Sequence, residues 1–277
     1  MKGLIYILLV IIIMSCEEVV IVELPASQNL VVVQGWLTDS LGNQSIRLTR
    51  SNGFSEDTQV VPIETAQVIV QSRFGEVFNY IYNSDGFYIA DTPYKGTSGT
   101  EYRVRIVLDT IEIRSEWDEM PKAISIGDLQ VDSFEENDPN NSDQQITIFY
   151  PKITTTDPVN QKNYYRWVFF KNGETYTEPE PITIQNDRLF DGNLIPNNFQ
   201  IFGYDSGEEM TVQLQSISAA SHAYLSLLKS QITTLGTTSG TTPAIVTGNL
   251  FYVDDDSQLV LGYFGAISSS AETVNVP

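Results

Sequence analysis

The chain has one cysteine and one histidine. A disulfide needs two cysteines, so none within the chain staples the fold. Zinc sites draw on several His and Cys side chains, and Cys16 with His222 do not supply them. Ser-His-Asp chemistry would rest on His222 alone, and no G-x-S-x-G elbow accompanies it. His222 therefore reads as a packing or surface residue. The sequence has neither G-x-x-x-x-G-K nor G-x-G-x-x-G, so nucleotide binding has no support. No metal and no cofactor are expected.

Positive charge is also scarce. Lys and Arg number 15 against 35 Asp and Glu, a net charge of −20. Phosphate backbones repel such a chain, which argues against nucleic acid as a partner. Acids spread over the length favour solubility. Hydrophobic residues are 42% and aromatics 11% of the chain, too many for a disordered protein.

Long apolar runs are absent apart from residues 4–14, LIYILLVIIIM. A bilayer-spanning helix needs about 20 apolar residues. With Lys2 before it and Ser15 just before Cys16, the run resembles a bacterial lipoprotein signal. Ile13 and Met14 stand where the usual pattern has Leu and small residues. On this reading residues 1–15 are a signal peptide, Cys16 carries lipid, and residues 16–28 form an acidic linker. Acyl chains rather than a basic patch then hold the protein on the membrane. Glu17 and Glu18 directly follow Cys16. They resemble the signal that carries many Bacteroidota lipoproteins to the outer face of the outer membrane.

Short strands separated by turn residues make up most of the remainder. They are expected at 30–37, 45–49, 65–71, 77–82, 86–90, 101–108 and 111–117, with a turn at Asn83, Ser84, Asp85 and Gly86. In 101–108, EYRVRIVL, apolar and polar residues alternate, as in a strand with one wet face. This spacing predicts an immunoglobulin-like sandwich over residues 29–121. Met120, Pro121 and Lys122 mark a boundary to a second β-rich domain, 122–277. There the acidic stretch 135–144 reads as a loop, 186–197 as another, and strands are expected at 123–134, 145–150, 164–171, 182–185, 198–202, 210–217, 248–253 and 259–267. Residues 218–235 carry an i, i+3, i+4 apolar stripe, with Ser218 or Ser221 to start a helix and Gly236 to end it. Residues 236–243 read as a flexible loop.

The candidate site residues are aromatic. In the segment NYYRWVFF, Tyr164 lies on one face and Tyr165 and Trp167 on the other. Both faces are apolar, which fits a strand covered on both sides, with a glycan- or peptide-binding platform as the functional alternative. Tyr263 and Phe264 are a second aromatic pair. Carboxylates are abundant, but none is marked out as a hydrolytic pair. Asp254, Asp255 and Asp256, and the loop from Asp138 to Asp143, offer oxygen ligands without the spacing of a calcium loop, and read as solvated turns.

Several pieces in order resemble an uncharacterised, domain-of-unknown-function family of Bacteroidota lipoproteins. They are Cys16, LVVVQG at 30–35, AQV at 66–68, GTEYRV at 99–104, NYYR at 163–166, TGNL at 247–250 and LGYFGA at 261–266. The resemblance implies an outer-membrane lipoprotein with an immunoglobulin-like N-terminal part, often encoded beside SusC-like TonB-dependent receptors. It supplies no catalytic residue to carry over. Asp39-Ser40-Leu41 and Asp109-Thr110-Ile111 also resemble short O-glycosylation sites of that phylum. The function expected is a non-enzymatic accessory or binding subunit of such a receptor in nutrient capture, facing the cell exterior. The rival readings are a glycan or peptide hydrolase and a structural or adhesive surface protein.

Overall fold

The computed structural model describes residues 29–51, 60–138, 141–178, 180–195, 197, 199–235, 245–255 and 257–277. The leader, Cys16, Glu17, Glu18 and the expected loop at 236–243 lie outside the described residues. The molecule is mainly β. In the first half run β1 (Val31–Thr38), β2 (Ser45–Arg50), β3 (Val61–Pro62), β4 (Gln67–Ser72), β5 (Val77–Ser84), β6 (Phe87–Ala90), β7 (Glu101–Leu108), β8 (Ile111–Ser115) and β9 (Asp118–Glu119). Then come β10 (Asp128–Asp138), β11 (Asn141–Thr154), β12 (Tyr164–Lys171), β13 (Glu174–Tyr176), β14 (Thr183–Asn186) and β15 (Glu209–Ser216). The helix α1 (Ala219–Leu235) precedes β16 (Leu250–Tyr252) and β17 (Leu261–Asn275).

Alternation does what it predicts. β7 is buried at every second residue, with Tyr102, Val104, Ile106 and Leu108 inward. β5 turns into β6 through Asp85 and Gly86, both at positive φ (50° and 82°). That is the Asp-Gly signature of a tight hairpin whose twist suits its strands. The strands of the first half run β1-β2-β6-β5-β4-β7-β8-β16. This sheet curls until the chain before β16 meets β17: Thr247 bridges Leu261, and the Asn249 side chain bonds both backbone groups of Phe264. The core inside includes Val33, Leu48, Val70, Val104, Ile113 and Phe264.

The structure differs from a division at residue 121 in one respect. β17 is 15 residues long and belongs to both halves. Its first part pairs in parallel with β1, and the part from Ser268 to Asn275 pairs antiparallel with β15. β16 likewise pairs with β8. The first unit is therefore built from the two ends of the chain. The serines at 268–270 do not advertise a strand, and it is the β15 ladder that extends β17 beyond residue 267.

Two further differences have physical reasons. The acidic stretch at 135–144 is the far end of a long β10–β11 hairpin, a separate two-stranded sheet with exposed acids, except for Pro139 and Asn140, which lie outside the described residues. Cross-strand pairing holds it, so composition alone misreads it as loop. Residues 199–202 form a turn closed by Phe202 N–H to Phe199 O, at 2.9 Å. Phe199 and Phe202 drop from it into the second core and pack on Phe169, with Phe202 stacked at 3.9 Å. Apolar residues at strand-like spacing here serve a turn.

Candidate functional site

Two places gather polar side chains. The first is the junction between the halves. Asp118 on β9 is 2% exposed. Its carboxylate accepts from Ser218 Oγ at 2.5 Å, Ser221 Oγ at 3.1 Å, Ala266 N at 2.9 Å and, more weakly, Tyr263 OH at 3.5 Å. Ser218 Oγ in turn accepts from Ser221 N at 3.0 Å, which makes Ser218 the N-cap of α1. One carboxylate thus ties β9, α1 and β17 together. Burial pushes its pKa up, and the bonds it accepts pull against that. Nothing in the sequence marks Asp118 among 35 acids, because its partners lie about a hundred residues or more downstream.

His222 follows on α1. It is half-buried, with its ring 5.1 Å from that of Tyr164. The neighbouring hydroxyls of Ser218 and Ser221 are committed to Asp118, so no serine–histidine relay forms among the described residues. Burial lowers the His222 pKa below its usual 6.5. The unfolded chain then binds this proton more readily than the folded one, so stability falls as pH drops through 6.5 towards the folded pKa. Thermal melts of His222→Gln at pH 7.5 and about pH 5.5 should show a smaller acid-side loss than wild type. Equal losses in both proteins would remove His222 from the account.

The second place is a cleft beside the loop preceding β12. Three adjoining concavities of about 780, 450 and 830 Å³ all include Lys162 in their walls. Tyr164 and Arg188 line the first, Ser216 and Ala219 the second, and Pro121 and Ile124 the third. Glu119 and Asp191 add negative charge, so the walls carry both signs.

At one end of the cleft the carboxylate oxygens of Asp157, Asp187 and Asp191 come within 4.8 Å of one another. Asp157 and Asp187 are buried and Asp191 is exposed. The trio holds its own loops. Asp157 accepts from the Tyr165 hydroxyl and from Gly192 N (3.1 Å), Asp187 from Asn163 N (2.6 Å), and Asp191 from Asn160 N (2.8 Å). Asp187 and Asp191 also line the cleft, while Asp157 lies beneath it. The Asp254–Asp256 turn, of which Asp256 lies outside the described residues, is tied locally. Asp255 accepts from Ser257 N, Ser257 Oγ and Gln258 Nε2, bonds that lower its pKa.

Of the five expected binding residues only Tyr164 reaches the cleft. The other four correct the expectation. Tyr165 is 0%, Trp167 2%, Tyr263 3% and Phe264 0% exposed. Trp167 packs edge-on to Phe199 and donates to Gln185 Oε1 at 2.9 Å. Tyr263 is stacked between Trp36 and Tyr224, with centroids at 5.5 and 4.7 Å. The reason is coverage from both sides: the second core lies on one face of β12 and α1 with its apolar cluster on the other. Lys162, Arg188 and the Asp trio were not foreseen, since long loops carry no periodicity. Ser40 and Thr110 are exposed.

These features define a mainly β protein in which one large mixed sheet joins two cores through a shared C-terminal strand. The chain belongs to the family described as Domain of unknown function (DUF4249), whose model matches residues 17–273. No curated protein matches the chain.

Proposed function

We propose that this protein is a non-enzymatic accessory lipoprotein of the outer membrane. It is anchored through Cys16, displayed outward after Glu17 and Glu18, and works beside a SusC-like TonB-dependent receptor in nutrient capture. The immunoglobulin-like character of the first unit and the Bacteroidota origin belong to the same proposal. The observation that carries the binding part is the cleft around Lys162 and Tyr164, walled by loops with charges of both signs. Such walls suit a polar ligand, a glycan or a peptide, held by hydrogen bonds. Among the described residues the sole histidine packs on Tyr164 and the carboxylates of Asp157, Asp187 and Asp191 hold their own loops, which supports binding over hydrolysis.

The test is a pull-down of the tagged full-length protein from gently solubilised outer membranes, with partners identified by mass spectrometry. A TonB-dependent receptor recovered in near-equal amount is the expected result, together with lost uptake when the gene is deleted. A protein recovered alone, with uptake intact after deletion, overturns the reading.

A further inference from the structure

The loops that Asp157, Asp187 and Asp191 tie together are braced by backbone bonds as well. Asp157 N donates to Asn193 O at 2.9 Å and Ile195 N to Thr155 O at 2.8 Å, and Thr156 bridges Leu194. Val159 packs at Gly192, where an added Cβ would stand 3.0 Å from Val159 Cβ. Yet this frame holds aliphatic side chains in water. Val159 is 62%, Leu189 86% and Leu194 59% exposed. Ordering a loop costs conformational entropy, and exposed aliphatics return none of it to the fold. Several of them on one braced frame mark a surface for contact.

These loops border the cleft, and its walls divide in character. Pro121, Ala123, Ile124 and Pro158 give the third concavity an aliphatic wall. Charge is spread along the whole length. Lys162 lines all three concavities, Arg188, Asp187 and Asp191 the first, Glu119 the second and third, and Lys122 the third. Three cations thus stand with three acids, so the cleft as a whole favours neither sign. Among the described residues Lys122, Lys162 and Arg188 form no ion pair, although each shares a wall with an acid. Their charges are left to a ligand. Tyr164 is the one aromatic residue lining the cleft, and His222 packs on its ring. A saccharide lays its C–H faces on flat open rings, and the cleft offers it little of that kind.

We infer that the cleft binds a short peptide with aliphatic side chains. The inference names the ligand class for the binding reading above and rests on it. A peptide carries amides that donate and accept, termini of opposite charge, and side chains that suit the aliphatic wall and the rim of Val159, Leu189 and Leu194. Its carboxylate end matches Lys162 and Arg188, and its ammonium end matches Asp191 or Glu119. Burial of aliphatic groups supplies affinity, and the separated charges set direction. Loops already held in place need no ordering when the peptide arrives.

The experiment passes two mixtures over immobilised full-length protein in detergent: a peptic digest of casein, and neutral malto- and xylo-oligosaccharides. Retained molecules are identified by mass spectrometry. The variants are Lys162→Glu and Arg188→Glu, both at exposed positions, with Arg47→Glu on β2 as the matched charge change outside the cleft. Thermal melts confirm that each folds. Wild type should retain peptides rich in Leu, Ile and Val, and no oligosaccharide. Each cleft variant should lower peptide retention about ten-fold, and Arg47→Glu should leave it unchanged. Oligosaccharides retained in place of peptides would overturn the peptide and leave the cleft as a binding site. Peptides retained equally by wild type and both cleft variants would mean adhesion elsewhere and overturn the assignment. If neither mixture is retained, the inference falls, and receptor recovery in the pull-down judges the accessory reading separately.

Discussion

Asp118→Ala should lower the melting temperature by roughly 10 °C. The change removes the one acceptor shared by Ser218, Ser221 and Ala266. The two hydroxyls can turn towards other acceptors, but the Ala266 N–H is fixed in the strand. Leaving buried donors unpaired costs about 1–3 kcal/mol each. Losing the partner of the Ser218 cap weakens the start of α1 as well. Against this stands the relief of a buried carboxylate, whose pKa burial raises. A net loss of about 3 kcal/mol follows, and a chain of this size shifts by about 2–4 °C per kcal/mol. Asp118→Asn keeps one acceptor oxygen and should lose less than half as much. Differential scanning calorimetry of the two variants decides it. An Asp118→Ala protein melting within 2 °C of wild type would mean that the junction does not depend on this carboxylate.

The sign of the pH dependence also follows. A carboxyl whose folded pKa is raised binds its proton more readily in the folded state. Its cost is therefore present at neutral pH and is relieved as pH falls through the folded pKa towards about 3.9. This opposes the His222 contribution, which grows on the same side. The difference between wild type and Asp118→Asn isolates it.

Gly262→Ala should be worse. Gly262 lies in β17 at φ +92° and pairs with Val33 along the parallel seam with β1. A Cβ there would stand 1.9 Å from Val33 O. Backbone on both sides must move, so the seam opens or the strand shifts. Positive φ alone costs an alanine about 1 kcal/mol, and the clash takes the loss beyond about 4 kcal/mol. Gly207 is the control, with φ +85° and nothing within 4 Å of the added atom. Gly207→Ala should cost only about 1 kcal/mol. Urea midpoints of the two variants separate the clash from the backbone conformation. Equal midpoints would show that the seam yields easily.

Much of this was legible in the sequence. The alternation EYRVRIVL predicts β7 with its faces, and Asp85-Gly86 predicts the hairpin turn, because both signals are local. The apolar stripe of α1 is local too, and of the two serines expected as its cap, Ser218 and Ser221, the structure uses Ser218. The cleft was barely legible. Tyr164 was foreseen and Lys162 was not. Loop residues acquire their neighbours only when β12, β14 and the chain between β9 and β10 converge. The aromatic run is covered on both faces, as its two apolar faces suggest, although an apolar strand exposed for binding would read the same along the chain.

The sequence by itself determined the class of this protein. Period-two patterning, turn residues and a single cysteine require a β fold stabilised by its core. The scarcity of basic residues sets the expectation that nucleic acid is not a partner, and LIYILLVIIIMSC that of lipid anchorage. Only the tertiary structure decided how the halves are joined, which acids matter and which side chains cover the aromatic rings. Those three depend on pairings between residues far apart, such as Gly262 with Val33, Asp118 with Ala266, and Arg73 with Trp117. No window of sequence short enough to have a pattern contains both partners.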